Sequence, residues 1–302
     1  MRAPAVLLGL ALGDALGAPF EGRRRVPPGQ IDRWCRAPAP LRWTDDTHMA
    51  LVLARRLLAD PTLADPDALG DAFAAAYADE PWRGYGAGPP QVYAMAARGQ
   101  GYEQAAASLF GGSGSFGNGA AMRVAPVALV PPPGDDTEVA RLARVQARLT
   151  HTHTEAVAGA QVVARIVARL LGLETPDTEV VRHTVAEVAE TADAGVLRDR
   201  LREALADLDA HGDTARTAAR AGTGISAAES VPAAVVALLA GRDLLGTITT
   251  AIGFGGDTDT IAAMAGAMAG AAWGLGGVPP AMLARLEAHE ELTDLALRLR
   301  AG

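Results

Sequence analysis

Apolar residues along the chain recur at intervals of three and four, the spacing of one helical face, and the strict apolar–polar alternation of strands is nearly absent. This periodicity predicts helices at about 4–17, 46–59, 66–79, 89–98, 103–109, 119–130, 136–149 and 153–171, then at about 177–191, 195–209, 229–239, 242–251, 257–275 and 279–299. The last span is open to a break near His289. Pro27-Pro28, Pro131-Pro132-Pro133 and Pro279-Pro280 read as short turns within one body, not as linkers. No internal period announces a solenoid. The expected fold is all-α, a single domain over residues 1–302.

Composition sharpens this picture. Hydrophobic residues make up 49% of the 302 positions and aromatics only 4%, so Ala, Leu and Val fill the core and allow close helix packing. The formal charge of -8 argues against a nucleic-acid surface, which carries a basic excess. Arg23-Arg24-Arg25 is the one basic triplet, expected in a solvated loop. Cys35 stands alone, which rules out an internal disulfide and suits a reducing, cytoplasmic setting. Residues 261–276 come closest to a membrane span but fall short of the ~20 apolar residues needed. The apolar start Met1–Leu12 runs on into Gly13-Asp14-Ala15-Leu16-Gly17 without a convincing cleavage site, and is expected to be the first buried helix.

Two acidic clusters at opposite ends of the chain change the question from fold to chemistry. Thr44-Asp45-Asp46-Thr47 opens one apolar run, and Asp257-Thr258-Asp259-Thr260 follows Gly253-Phe254-Gly255-Gly256 and opens another. A Thr or Asp in front of an apolar run caps a helix, but capping accounts for one acid per cluster, not two. Asp257 and Asp259 cannot share a helical face, since residues two apart point roughly 200° from each other; at a loop-to-helix junction they can converge. Converging carboxylates repel unless protons or cations lie between them. The donors are all hard oxygens, which suit Mg²⁺, Mn²⁺ or Ca²⁺, and four carboxylates are more than one small cation needs. A two-metal cleft between helix ends is therefore expected, built where the two ends of the chain meet.

A third segment, Phe110-Gly111-Gly112-Ser113-Gly114-Ser115-Phe116-Gly117-Asn118-Gly119, is dense in glycine and leads into a predicted helix. Such a loop lets backbone amides approach an anion. Its two phenylalanines can stack on a planar base, while the Lys of a Walker loop is missing. A flexible surface loop is the plain alternative. Of the histidines, His151 stands ahead of an apolar helix, where substrate contact competes with capping or packing. His48 is expected to turn away from the acidic cluster, and His183, His211 and His289 to be solvated.

These segments together resemble the ADP-ribosylglycohydrolases, or ADP-ribosyl-acceptor hydrolases. The resemblance runs from Gly9-Leu10-Ala11-Leu12-Gly13-Asp14-Ala15-Leu16-Gly17 through Glu21 to Gly274, and rests most on Thr44-Asp45-Asp46-Thr47 and Gly255-Gly256-Asp257-Thr258-Asp259-Thr260. Gly117-Asn118-Gly119-Ala120-Ala121-Met122-Arg123 and Glu229-Ser230-Val231-Pro232-Ala233 add to it. It implies an orthogonal helical bundle around a binuclear Mg²⁺ centre, with Mn²⁺ as the substitute ion. Thr44, Asp45, Asp46, Asp257, Asp259 and Thr260 would be the metal ligands. Glu21 would be a mobile loop acid, and with Asp46 it is the candidate for proton transfer. The glycine-rich segment is most similar to the serine-directed branch, which implies that Gly114, Ser115, Phe116, Gly117 and Asn118 hold the diphosphate and adenosine. Phe110 would be a second aromatic contact, with His151 and Ile225 lining the substrate pocket. That branch carries tyrosine where this chain has Phe116, so stacking is kept and a hydroxyl is lost.

The resemblance implies hydrolysis of the bond between ADP-ribose and its acceptor, with no organic cofactor. The expected partners are an ADP-ribosylated protein or small ADP-ribose conjugate; neither a membrane nor a nucleic acid is expected, except an ADP-ribosylated nucleic-acid end. A two-metal phosphohydrolase would use the same donors but usually adds His-Asp or Glu-rich clusters. A terpene-synthase-like reading of Asp45-Asp46 lacks the third acid. A non-catalytic ADP-ribose reader is the binding-module alternative.

Overall fold

The computed structural model describes residues 2–301. Among them the chain is all-α, as its periodicity predicts. The first helices are α1 (Ala3–Gly17), α2 (Pro28–Arg36), α3 (Asp45–Ala59), α4 (Pro66–Asp79), α5 (Gly88–Ala96) and α6 (Tyr102–Gly112). There follow α7 (Gly119–Met122), α8 (Asp136–Arg148), α9 (Thr154–Gly172), α10 (Thr178–Glu190), α11 (Gly195–His211) and α12 (Thr214–Ala221). The chain closes with α13 (Ala227–Ala240), α14 (Leu244–Phe254), α15 (Thr258–Trp273), α16 (Pro280–Leu283) and α17 (His289–Ala301). The described residues form no strand, only isolated bridges between Leu41 and Leu286 and between Gly117 and Ser226.

Helices α1 and α15 are apolar on nearly every side, the pattern of helices buried all round, and they pack against each other at the centre. Small residues let their backbones touch. A Cβ built on Gly13 would lie 2.0 Å from the Ala262 carbonyl oxygen, and one on Gly17 would lie 2.6 Å from that of Thr258. The run Ala3–Phe20 has the length and mean hydropathy (1.5) of a membrane span, yet 83% of it is buried inside this core. It is this run, and not 261–276, that comes closest to a span.

Several boundaries differ from the periodicity. The span expected at 119–130 is one turn of α-helix, α7, followed by a 3-10 helix at Ala125–Leu129, because Pro126 has no N–H to continue the ladder. The span 279–299 divides into α16 and α17, with Ala288 in the left-handed region at φ 56°. Pro27-Pro28, expected as a short turn, instead begins a helix: proline suits the first turn, and α2 buries only Ile31. Helix α12 is short and was not expected; Asp213 caps it by accepting from the Arg216 amide.

Candidate active site

Aspartates at the N-caps of α4, α8, α10, α12 and α14 accept a hydrogen bond from a first-turn amide. Helices α3 and α15 break this rule: Thr44 and Asp257 occupy their N-caps and neither side chain caps. For α3 the duty passes to Asp14, which reaches across from α1. Its carboxylate accepts from the Thr47 amide (3.0 Å), the Thr47 hydroxyl (2.7 Å), the Thr44 amide (2.9 Å) and the Thr44 hydroxyl (2.8 Å). The hydrogen bonds hold a fully buried acid, and the side chains of Asp45 and Asp46 are left for other work.

The second cluster is brought up by a turn. Gly255 and Gly256 both have positive φ (79° and 76°), and Gly256 donates to the Arg23 carbonyl at 2.7 Å while Gly22 donates to Gly256 at 2.9 Å. A side chain on Gly256 would strike the Thr223 carbonyl. The turn therefore ties the Glu21 loop to the start of α15, and carboxylate oxygens of Glu21, Asp257 and Asp259 lie within 4.8 Å of one another. Asp257 is oriented by Asn118, whose Nδ2 donates to it at 2.6 Å. Asp46 stands between the clusters, 3.4 Å from the Thr44 hydroxyl and 3.5 Å from that of Thr260. Its other oxygen, Oδ1, is buried with no hydrogen-bond partner.

Crowding and burial raise every acid here. Burial first, then Asp14 and Asp259, hold Asp45 and Asp46 well above the carboxylate range. Asp14 is pushed up to about 7 by burial and Asp259 to about 7 by burial and Asp257. Burial also raises Asp257, and Asp259 followed by burial raises Glu21. A set of hard oxygens that cannot all ionise alone, one of them buried and unpartnered, fits a divalent-cation site.

These acids, Asp14 apart, form the floor of a cavity of about 320 Å³. Phe110, Ser115, Gly117, Asn118, His151 and Ile225 line it; Gly114 and Phe116 do not. The Gly114 amide is spent on the Leu109 carbonyl at 3.1 Å, and its Cα faces Thr152. Phe116 packs edge-on to His153, ring centroids 6.1 Å apart. The Gly117 and Asn118 amides are also engaged, by the Ser115 hydroxyl and the Ile225 carbonyl. Among the described residues this leaves, of the amides of residues 114–118, those of Ser115 and Phe116 without a protein acceptor. Phe110 takes a left-handed backbone (φ 51°, ψ 47°) and is 56% exposed at the mouth, a strained setting for a non-glycine residue.

His48 does turn away from the acids: it bonds Tyr85 at 2.9 Å and faces Glu80. Two further contributions were not assigned from sequence. One is Asp14, whose only signal is an acid inside an apolar helix. The other is the wall Gly84, Gly86, Ala87, Gly88 and Pro89, which brings Gly84 against Asp45.

A family model for ADP-ribosylglycohydrolase matches residues 1–302. The ADP-ribosylhydrolase ARH3 of Bos taurus is 33% identical, over 97% of this chain and 90% of that protein. The ADP-ribosylhydrolase ARH3 of Danio rerio is 34% identical, over 99% and 90%. A solved structure described as an ADP-ribosylglycohydrolase-related protein complex matches with a TM-score of 0.78 at 31% identity, covering 99% of this chain and 97% of that one.

Proposed function

The chain belongs to the ADP-ribosylglycohydrolase family, enzymes that hydrolyse the glycosyl bond between ADP-ribose and an acceptor, and from that premise we propose a Mg²⁺-dependent hydrolase acting in the cleft between α3 and α15. Thr44, Asp45, Asp46, Asp257, Asp259 and Thr260 would hold two ions, with Mn²⁺ able to replace Mg²⁺. The observation that carries this reading is Asp46, buried between two threonine hydroxyls with one oxygen unpartnered. When bound, the ions supply positive charge that offsets the carboxylates and polarises substrate oxygens.

The chain's own residues do the rest. The unengaged amide of Ser115 binds the diphosphate, and Phe110 offers its ring to the adenine at the cavity mouth. Asn118 fixes the orientation of Asp257. As the acceptor bond breaks, positive charge grows at the anomeric carbon in an oxocarbenium-like transition state, which the surrounding carboxylates favour. Glu21, whose carboxyl Asp259 and burial raise, passes a proton to the departing acceptor oxygen, while water adds to the anomeric carbon and returns its proton to the Glu21 carboxylate; Asp46 is the alternative carrier. The loop's likeness to the serine-directed branch makes ADP-ribosylated serine the first acceptor to test, ahead of arginine, O-acetyl-ADP-ribose, poly(ADP-ribose) and nucleic-acid ends.

A panel of these conjugates, assayed with Mg²⁺, with Mn²⁺ and with chelator, tests the reading. It expects free ADP-ribose, formed only with the metal. Release of AMP would point to phosphodiester cleavage, and tight ADP-ribose binding without turnover of any conjugate would point to a reader.

A further inference from the structure

A buried polar chain that the acid cluster does not explain runs from Arg123 to His151, both in the cavity wall. Arg123, fully buried, has no carboxylate partner among the described residues. Its Nε donates to Gln146 Oε1 at 2.7 Å and its Nη2 to the Gln146 carbonyl at 2.8 Å, while its guanidinium stacks 4.7 Å from the Phe73 ring. Gln146 is fixed in turn, its Nε2 donating to the carbonyls of Ala120 (2.9 Å) and Ala143 (3.1 Å). Held in this way, Arg123 directs Nη2 to the Thr150 hydroxyl at 2.8 Å, and that hydroxyl lies 2.7 Å from His151 Nδ1.

Proton counting decides the direction of the last bond. A guanidinium only donates, so Thr150 Oγ1 accepts from Arg123. Thr150 is fully buried, and His151 Nδ1 is the one remaining acceptor for its hydroxyl proton among the described residues. The other tautomer would leave that proton buried without a partner, the costly arrangement. Nδ1 is therefore bare and the ring proton sits on Nε2. That nitrogen has no partner among the described residues and lies beside Gly117 and Gly119, where Cβ atoms would come within 3.5 and 2.9 Å of it. Burial and Arg123 together push the imidazole pKa down to about 3, so the ring is neutral.

We propose that Arg123 and Thr150 are positioning residues that lock His151 in the Nε2–H tautomer, so that it meets the bound ADP-ribosyl group as a neutral hydrogen-bond donor to one of its oxygens. The contact with ADP-ribose rests on the function proposed above; the tautomer does not. His151 is accordingly neither a base nor a metal ligand in this site.

Nitrogen-15 spectra of histidine-labelled protein without substrate test the lock, the His151 signals being assigned by their loss in His151→Gln. The expected wild-type pattern is a protonated Nε2 and a bare, hydrogen-bonded Nδ1. Thr150→Val should shift both nitrogens and raise KM by about 5–10-fold, the weight of one hydrogen bond, with a smaller change in kcat. Thr150→Ser should restore spectrum and KM together. A proton on Nδ1 in the wild type, or unchanged ring nitrogens in Thr150→Val, would overturn the lock. If the valine variant does not fold, the wild-type and Thr150→Ser spectra decide alone. Correct spectra in a protein that hydrolyses no ADP-ribose conjugate would leave the lock standing and remove the proposed function.

Discussion

Removing divalent ions should turn the acid cluster against the fold, with a sign that can be worked out in advance. Asp14 and Asp259 are both raised to about 7, whereas an unfolded aspartate titrates near 3.9. The folded chain thus keeps protons that the unfolded chain releases. The stability these groups contribute is complete below about pH 4 and drains away as the pH climbs through about 7. By linkage, moving one carboxyl from 3.8 to about 7 is equivalent to about 4 kcal/mol. From pH 5.5 upward about half of that remains to be lost, roughly 2 kcal/mol per carboxyl, and the two acids interact, so the pair should lose about 2–4 kcal/mol. For a chain of this size that is a fall in Tm of roughly 3–6 °C. Thermal melts in EDTA and in saturating Mg²⁺, from pH 5.5 to 8.5 at constant ionic strength, read it directly. The chelated protein should lose Tm with rising pH while the Mg²⁺ curve stays flatter, because the ions bind the deprotonated carboxylates. A chelated Tm that is level or rising over that interval would refute the cluster's electrostatics.

Asp46→Ala or Asp257→Ala should cut turnover at least about a hundredfold and weaken Mn²⁺ binding by calorimetry; wild-type rates after chelation and Mg²⁺ readdition would sink the ligand assignment. Glu21→Gln should keep ADP-ribose affinity and lose turnover, the signature of a group needed only in the transition state, and equal losses in both would mark it as a binding residue instead. Phe110→Ala should weaken ADP-ribose binding by about 1–3 kcal/mol if the ring stacks on the base, and Phe116→Ala by less, because only Phe110 lines the cavity; the reverse order in titrations would move the adenine. Gly13→Val should prevent folding, as its Cβ would sit 2.0 Å from a backbone oxygen of α15, and a soluble variant with a normal circular dichroism melt would contradict the close packing of α1.

What could be read from the chain alone depended on distance. The acidic pairs were legible because a second acid exceeds what a cap requires, and their meeting follows from repulsion that something must relieve. Asp14 carried no such excess; its partners Thr44 and Thr47 lie about thirty positions away, and a lone acid in an apolar helix does not say which way it faces. Glycine density marked the 111–119 loop, yet composition could not tell which amides the loop spends on itself, and Gly114 is one of these. The Arg123–Gln146–Thr150 chain was invisible for a similar reason: each residue is ordinary alone, and only burial makes its hydrogen bonds obligatory. Proline misled at α2 because it marks helix starts as well as ends.

The packing of α1 on α15 also fixes an order of events during synthesis. Gly17 and Thr258, which meet through a 2.9 Å hydrogen bond, are 241 positions apart. At translation rates of about 5–20 residues per second, α1 leaves the ribosome roughly 10–50 s before its partner exists. For that interval a helix apolar on nearly every side lacks the partner it packs against most, with α3 and the 3-10 helix at Ala125–Leu129 available to cover part of it. The same delay keeps the two acidic clusters apart until the C-terminal third has been made, so catalytic competence arrives with the final closure of the core and not before it.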